Sequence, residues 1–255
     1  MGVILNEEAV ARTYAHQSVA DTYDVVEQYR AAMRYPDDAS STHIARELEI
    51  PRGRVRPWLD GAKPDAVRAI EIATAKNWFS NDWTQETQAL AVLCAGVFAC
   101  GSIEKQGYRP TWTPETAQGR TQLETALENV GVGVRVETED RTRELWPGTH
   151  GSILGRCLMV AGAPTGNKTA TTVTSLPQWL DDAPAQLRET IAELFVRERA
   201  IAFEDKATRR IQSARPPSYY RALAALIEDV TDESVTYSES GITISADAVR
   251  ALGLA

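Results

Sequence analysis

The chain has 255 residues, 43% of them hydrophobic and 24% charged, and a formal net charge of −8. That length suffices for a sizeable core in one large or two to three small domains, and the composition is that of a globular chain, which excludes intrinsic disorder. No apolar run approaches the roughly twenty residues of a membrane span, and Glu7, Glu8 and Arg12 interrupt any leader-like N-terminus, so a cytoplasmic protein is expected.

Cys94, Cys100 and Cys157 form no CxxC pair, and His16, His43 and His150 are scattered one per region. Neither a disulfide framework nor a zinc site is expected, and no metal or other cofactor is implied. An acidic balance argues mildly against nucleic acid, because phosphates are met by Lys and Arg. The argument is weakened by the cations themselves, of which only 5 are Lys and 22 are Arg. Such a skew in an acidic chain resembles proteins of salt-loving archaea, whose acidic surfaces serve general solvation. Stability that rises between dilute and molar salt is the matching expectation.

In chain order, the pattern over Asn6–Arg34 is helical, with Val10, Tyr14, Val19, Tyr23, Val26 and Tyr29 inward and Pro36-Asp37-Asp38 as the break. Ser40 then caps a short helix with Ile44, Ala45 and Leu48 inward, and Pro51 to Arg54 forms a turn. A second short helix follows from about Arg52 to Leu59, shortened by Pro57. It has Val55, Trp58 and Leu59 inward and Arg52, Arg54 and Arg56 outward. Over residues 38–63 this resembles the small helix-turn-helix domains of many archaeal and phage DNA-binding proteins. The resemblance implies DNA contact by Arg46, Arg52, Arg54, Arg56 and Lys63, with the Arg52–Leu59 helix as reader. A three-helix packing module with a solvated arginine face is the plain alternative. A further amphipathic helix spans Asp65–Trp78, and Ser80-Asn81-Asp82 closes a helical domain, 1–82.

From about Thr84 the chain reads as an internal repeat. The apolar run Leu90–Ile103 predicts a helix whose small residues Ala95, Gly96 and Ala99 admit a close partner. Ser102–Thr113 is strand-like, Thr116–Val130 helical, and Val132–Leu145 and Ser152–Ala161 strand-like. The second half gives a helix over Gln186–Arg199, a hairpin from Ile201–Lys206 and Thr208–Ser213, and a helix over Ser218–Val230. A second hairpin, from Ser234–Ser238 and Gly241–Ser245, and a last helical turn, Asp247–Leu252, complete it.

An αββαββα order given twice resembles the LAGLIDADG homing endonucleases and their inactive relatives. The resemblance covers residues 84–255. It implies an α+β fold: the N-terminal helix-turn-helix domain followed by a pseudo-twofold pair of half-domains, 83–174 and 175–255. In that family two motif helices meet at the centre, each ends in a metal-holding acid, and two saddle-shaped sheets straddle duplex DNA. The first motif is carried onto Leu93–Ser102, with Ala95 and Ala99 as the small contacts, Gly101 as the terminal glycine and Cys100 on the acid position. The second is carried onto Ile191–Arg199, with Glu198 on the acid position, Arg199 in place of the glycine, and Glu193 and Arg197 in place of the small residues.

With one motif carboxylate left, and a neutral thiol a poor ligand for a hard cation, two-metal strand cleavage is not expected, and no catalytic or metal site is assigned. Arg197 and Arg199 are placed to pair with Glu198. Duplex DNA remains the expected partner, met by strand cations Lys105, Arg109, Arg135, Arg141, Arg143, Arg156, Lys206, Arg209 and Arg210. The molecule is read as a monomer with internal pseudo-symmetry. A nicking endonuclease and a protein-interaction module stand as alternatives. Gly162–Thr169 looks like a phosphate loop, but Asn167 separates its glycine from Lys168, and a mobile linker between the halves is expected.

Overall fold

The computed structural model describes residues 4–15, 21–139, 142–169 and 171–254, an α+β chain whose eight strands are all antiparallel among these residues. It divides into two units, one from Leu5 to Phe79 and one from Ser80 onward together with Ile4.

The first unit is helical: α1 (Glu7–Arg12), α2 (Thr22–Ala32), α3 (Ser41–Glu47), α4 (Arg52–Leu59) and α5 (Asp65–Ala75). The continuous helix read over Asn6–Arg34 is two helices. Thr13 closes α1 with its hydroxyl on the Val10 carbonyl, and Asp21 starts α2 by accepting the Tyr23 N–H. His16 and Val19 lie outside the described residues. Two small cores result. Ala32, Ile44, Ala45, Ile50, Val55 and Trp58 join α2, α3 and α4, with Tyr29 edge-on to Trp58 at 5.6 Å. Ala11, Val26, Ala66, Val67 and Ile70 join α1, α2 and α5.

The second unit runs α6 (Gln85–Ala99), β1 (Gly101–Ile103), β2 (Pro110–Trp112), α7 (Ala117–Asn129), β3 (Val134–Glu139), β4 (Thr142–Pro147) and α8 (Gly151–Val160). It continues α9 (Ala185–Arg199), β5 (Ile201–Phe203), β6 (Lys206–Ile211), α10 (Pro217–Thr231), β7 (Val235–Ser238), β8 (Gly241–Ile244) and α11 (Ala246–Ala251). Helix, hairpin, helix, hairpin, helix thus occurs twice, and the strand orders, β1-β2-β4-β3 and β5-β6-β8-β7, are the same.

Helix α6 is buried from Ala89 through Ala99 on every side, as an all-apolar helix must be. It packs on α7, α8 and α9 and on the first two strands. The small flank expected to admit a close partner meets, at Gly96, side chains of both a helix and a strand. A Cβ there would lie 2.6 Å from Leu123 of α7 and 2.9 Å from the Trp112 indole nitrogen, which donates to the Leu93 carbonyl.

The strand expected over Ser152–Ala161 is helix α8. Its buried residues Leu154, Cys157 and Leu158 recur at helical spacing, and no β-branched run competes. Gly155 lets α8 lie against the β1–β2 turn, where a Cβ would fall 1.7 Å from the Tyr108 carbonyl oxygen.

The segment expected to be a mobile linker is anchored. The Gly166 N–H bonds Ile103 O at 2.8 Å, Arg215 donates to the Lys168 carbonyl, and Lys168 Nζ donates to Val97 O (2.8 Å) and Gly101 O (2.6 Å). Val97 O belongs to the last turn of α6, whose carbonyls lack partners within the helix, and Gly101 O follows at the start of β1, so an ammonium is a fitting cap there.

Candidate nucleic-acid interface

In the helical unit, local chemistry fixes how α4 is presented. Ser40 caps α3 by accepting the His43 N–H at 3.2 Å. The helix ends with Glu49 in the left-handed region (φ 54°), Ile50 N–H on Ala45 O and Glu49 N–H on Arg46 O, the two bonds of a Schellman turn. Ile50 is thereby buried, Pro51 redirects the chain, and α4 starts at Arg52. Gly61 (φ 94°) ends α4 in the same way, with Ala62 N–H on Pro57 O, and Pro57 stands inside a helix of only 8 residues.

Val55 and Trp58 point inward as expected, but Leu59 is 39% exposed, because the α4 stripe that meets α2 and α3 ends one residue earlier. Arg52 and Arg56 are exposed, and a Cβ on Gly53 between them would meet nothing within 4 Å. Arg54, expected outward, is half-buried and donates to Gln28 Oε1 at 2.7 Å. The other cations have local partners: Arg46 with Glu47 (2.9 Å), Arg52 with the Ser41 hydroxyl (3.2 Å), Arg56 with Asp60 (3.9 Å) and Lys63 with Glu71 (2.6 Å). Surface pairs of this kind are worth about 0–1 kcal/mol and exchange readily for a phosphate.

In the second unit the strand cations do not share one face. Strand residues alternate between faces, and register separates them. Ile211, Ile242, Ile244 and Val235 are buried against the helices, and Arg209, paired with Ile244, belongs to that same face. Arg210, paired with Ile201 and Thr243, belongs to the opposite one, as do Lys206 and Thr208. In the first sheet Leu145 is buried, so Arg143, two residues away, falls on the helix side. Arg135, paired with Trp146, is exposed and lies 5.7 Å from its ring.

Three of the expected strand cations are not on strands. Lys105 and exposed Arg109 sit in the β1–β2 turn, where Arg109 bonds Glu104 at 3.1 Å. Arg156 is on α8 with its guanidinium 3.9 Å from the Tyr108 ring, a consequence of that segment being helical. Arg141 lies outside the described residues.

The ends of α6 and α9 share a cleft of about 380 Å³ lined by Cys100, Glu198, Lys168, Arg199, Glu144 and Thr113 among others. The two helices each have 15 residues, and their closing residues are Cys100, whose N–H bonds Gly96 O, and Ala200, whose N–H bonds Val196 O. In that frame Cys100 matches Ala200, and Glu198 matches Phe98, two residues short of the end. Glu198 is therefore not the counterpart of Cys100, as the motif alignment had it.

Nor does Glu198 pair with the flanking arginines. Arg197 pairs with Glu193 at 3.3 Å. Glu198 is 4% exposed and its carboxylate accepts the N–H of Glu115 (2.6 Å), the N–H of Thr116 (3.4 Å) and the Thr116 hydroxyl. It sits at the N-terminus of α7, where unpaired N–H groups and the helix dipole favour an anion. Gly119 makes the room: a Cβ there would lie 2.0 Å from Glu198 Oε1. Sequence reasoning missed this seat, although Thr116 three residues before Gly119 marks the start of a helix; nothing local names the carboxylate that fills it.

Burial, with the Glu198 charge second, pushes the Cys100 thiol up to about 12, so it stays protonated and is a poor ligand for a hard cation. Among the described residues no three His, Cys, Asp or Glu side chains are grouped to hold a metal, and no helix is long and apolar enough to cross a membrane. Comparison of the chain with profiles of known protein families finds no match, and a search of curated proteins finds no significant one either.

Proposed function

We propose that this is a non-catalytic, cytoplasmic protein that binds double-stranded DNA as a regulator, with α4 as a reading helix and the strand-bearing unit as a second contact. In this reading α3 and α4 are a helix-turn-helix, and residues 83–174 and 175–255 are the two halves of a degenerate LAGLIDADG-like pair acting as a monomer. The observation that carries it is α4. Its first position offers exposed Arg52, beside an open Gly53, and exposed Arg56 follows one turn later; recognition helices contact base edges chiefly with the N-terminal part. The repeated order of helices and strands supports the second contact. The absence of cleavage rests on the ends of α6 and α9, which offer Cys100 and Ala200 in place of two acids, and on Glu198 being fully engaged by α7.

The test is selection of bound duplexes from a random library with the full chain at several salt concentrations, followed by anisotropy with Arg52→Ala and Arg56→Ala. Enrichment of a sequence, and loss of its preference in either variant, is expected; a phosphate contact alone would weaken all sequences alike. No retained duplex at any salt, in the presence or absence of Mg²⁺, overturns the reading.

A further inference from the structure

The two sheets have the same strand order and opposite charge. Strands β1 to β4 contain Arg135 and Arg143 against Glu137, Glu139 and Glu144, with Glu137 and Glu144 as direct register partners. Strands β5 to β8 contain Lys206, Arg209 and Arg210 and no acidic residue. A duplex presents one negative charge per about 1.7 Å of axis. On the faces away from the helices the register sets Arg135 with Glu144 on the first sheet and Lys206 and Arg210 with no strand acid on the second, so the second is the more attractive to a duplex.

Geometry sharpens the contrast. On the second sheet, Ile201, Arg210, Thr243 and Thr236 form one row across all four strands on the face away from the buried residues, and β6 adds Thr208 and Lys206. Threonine bonds either groove edge through its hydroxyl and meets the thymine methyl through its own, and Lys and Arg supply phosphate contacts. On the first sheet the sole cation on the corresponding face of the described strands is Arg135, and it is drawn toward Trp146.

We infer that duplex contact by the strand-bearing unit is one-sided: the exposed face of the second sheet, through Lys206, Thr208, Arg210, Thr236 and Thr243, engages DNA, and the first sheet does not. This rests on the DNA-binding reading and assigns the surface within it. Each phosphate-neutralising cation contributes a slope of about 0.9 to the dependence of log affinity on log salt.

The experiment measures anisotropy of a labelled duplex with the full chain between about 50 and 300 mM salt. The variants are Lys206→Glu with Arg210→Gln, Arg135→Glu, and Arg52→Ala with Arg56→Ala, each checked for unchanged circular dichroism. The Lys206/Arg210 double variant is expected to bind at least about tenfold more weakly at physiological salt, with the slope reduced by about two. Arg135→Glu is expected to stay within about twofold of wild type. Equal weakening by Arg135→Glu, or an unchanged slope in the Lys206/Arg210 variant, overturns the one-sided assignment. In that case binding still lost in the α4 variant leaves the DNA reading standing, whereas a wild type that retains no duplex overturns both.

Discussion

The Glu198 carboxylate on α9 accepts the backbone N–H of Glu115 at 2.6 Å, eighty-three residues earlier in the chain, and so places an anion from the second half at the head of a helix in the first. A buried carboxylate is tolerated only when it is well bonded, and here three donors from one helix terminus meet it.

Glu198→Gln keeps the shape and turns an amide NH₂ toward donors, so it is expected to destabilise the protein by about 2–4 kcal/mol in urea denaturation. Gly119→Ala drives a methyl into the same carboxylate. In a cycle with Glu198→Ala its cost is expected to fall by about 1 kcal/mol or more, since the obstacle has been removed. Additive costs would show that Gly119 is not held open for Glu198.

Glu49 occupies a left-handed conformation that L side chains adopt at a cost, at the turn that delivers α4. Glu49→Gly is expected to raise stability by about 0.5–1 kcal/mol, the relief of strain exceeding the added freedom of the unfolded chain. A lower denaturation midpoint would contradict the Schellman geometry.

Lys168 is pushed down from 10.5 to about 8 by burial, with Arg215 and Arg199 adding to it. Below pH 8 both folded and unfolded chains hold the proton and the full cost of the buried charge is present. Between about 8 and 10.5 the unfolded chain binds more protons than the folded one, so stability gains from rising pH. Above 9 the thiols of Cys94, Cys100 and Cys157, all pushed up, act in the opposite sense, because the unfolded chain ionises them first. The difference between wild type and Lys168→Met isolates the lysine and is expected to move in favour of wild type across that window; a flat difference excludes the shift.

Gly155→Ala places a methyl against a backbone oxygen rather than a movable side chain. A loss of about 2–3 kcal/mol is expected, read as a lower thermal midpoint.

Helix positions were legible where period and cap agreed. Ser40 and Ile44 announced α3, and the apolar run ending at Gly101 announced α6. The strand read over Ser152–Ala161 failed because the helical spacing of Leu154, Cys157 and Leu158 is easily overlooked in so short an apolar run, and Gly155 answers to the distant Tyr108 carbonyl. The faces of the strand cations were beyond reach for a related reason. One residue of register moves a side chain through the sheet, and the register of Arg209 and Arg210 is set by Ile244 and Thr243, more than thirty residues away. Glu198 and Lys168 were misjudged alike, each by its neighbours in sequence, when its partners are distant backbone groups.

The seat of Glu198 has a consequence for how this chain can change over generations. A side chain at position 119 would have to displace the acid at position 198, so the two sites do not drift independently. Two halves that share an outline are thereby tied to a single mutational history, and a gene that exchanged one of them for a foreign copy would have to bring its own answer to the open helix end.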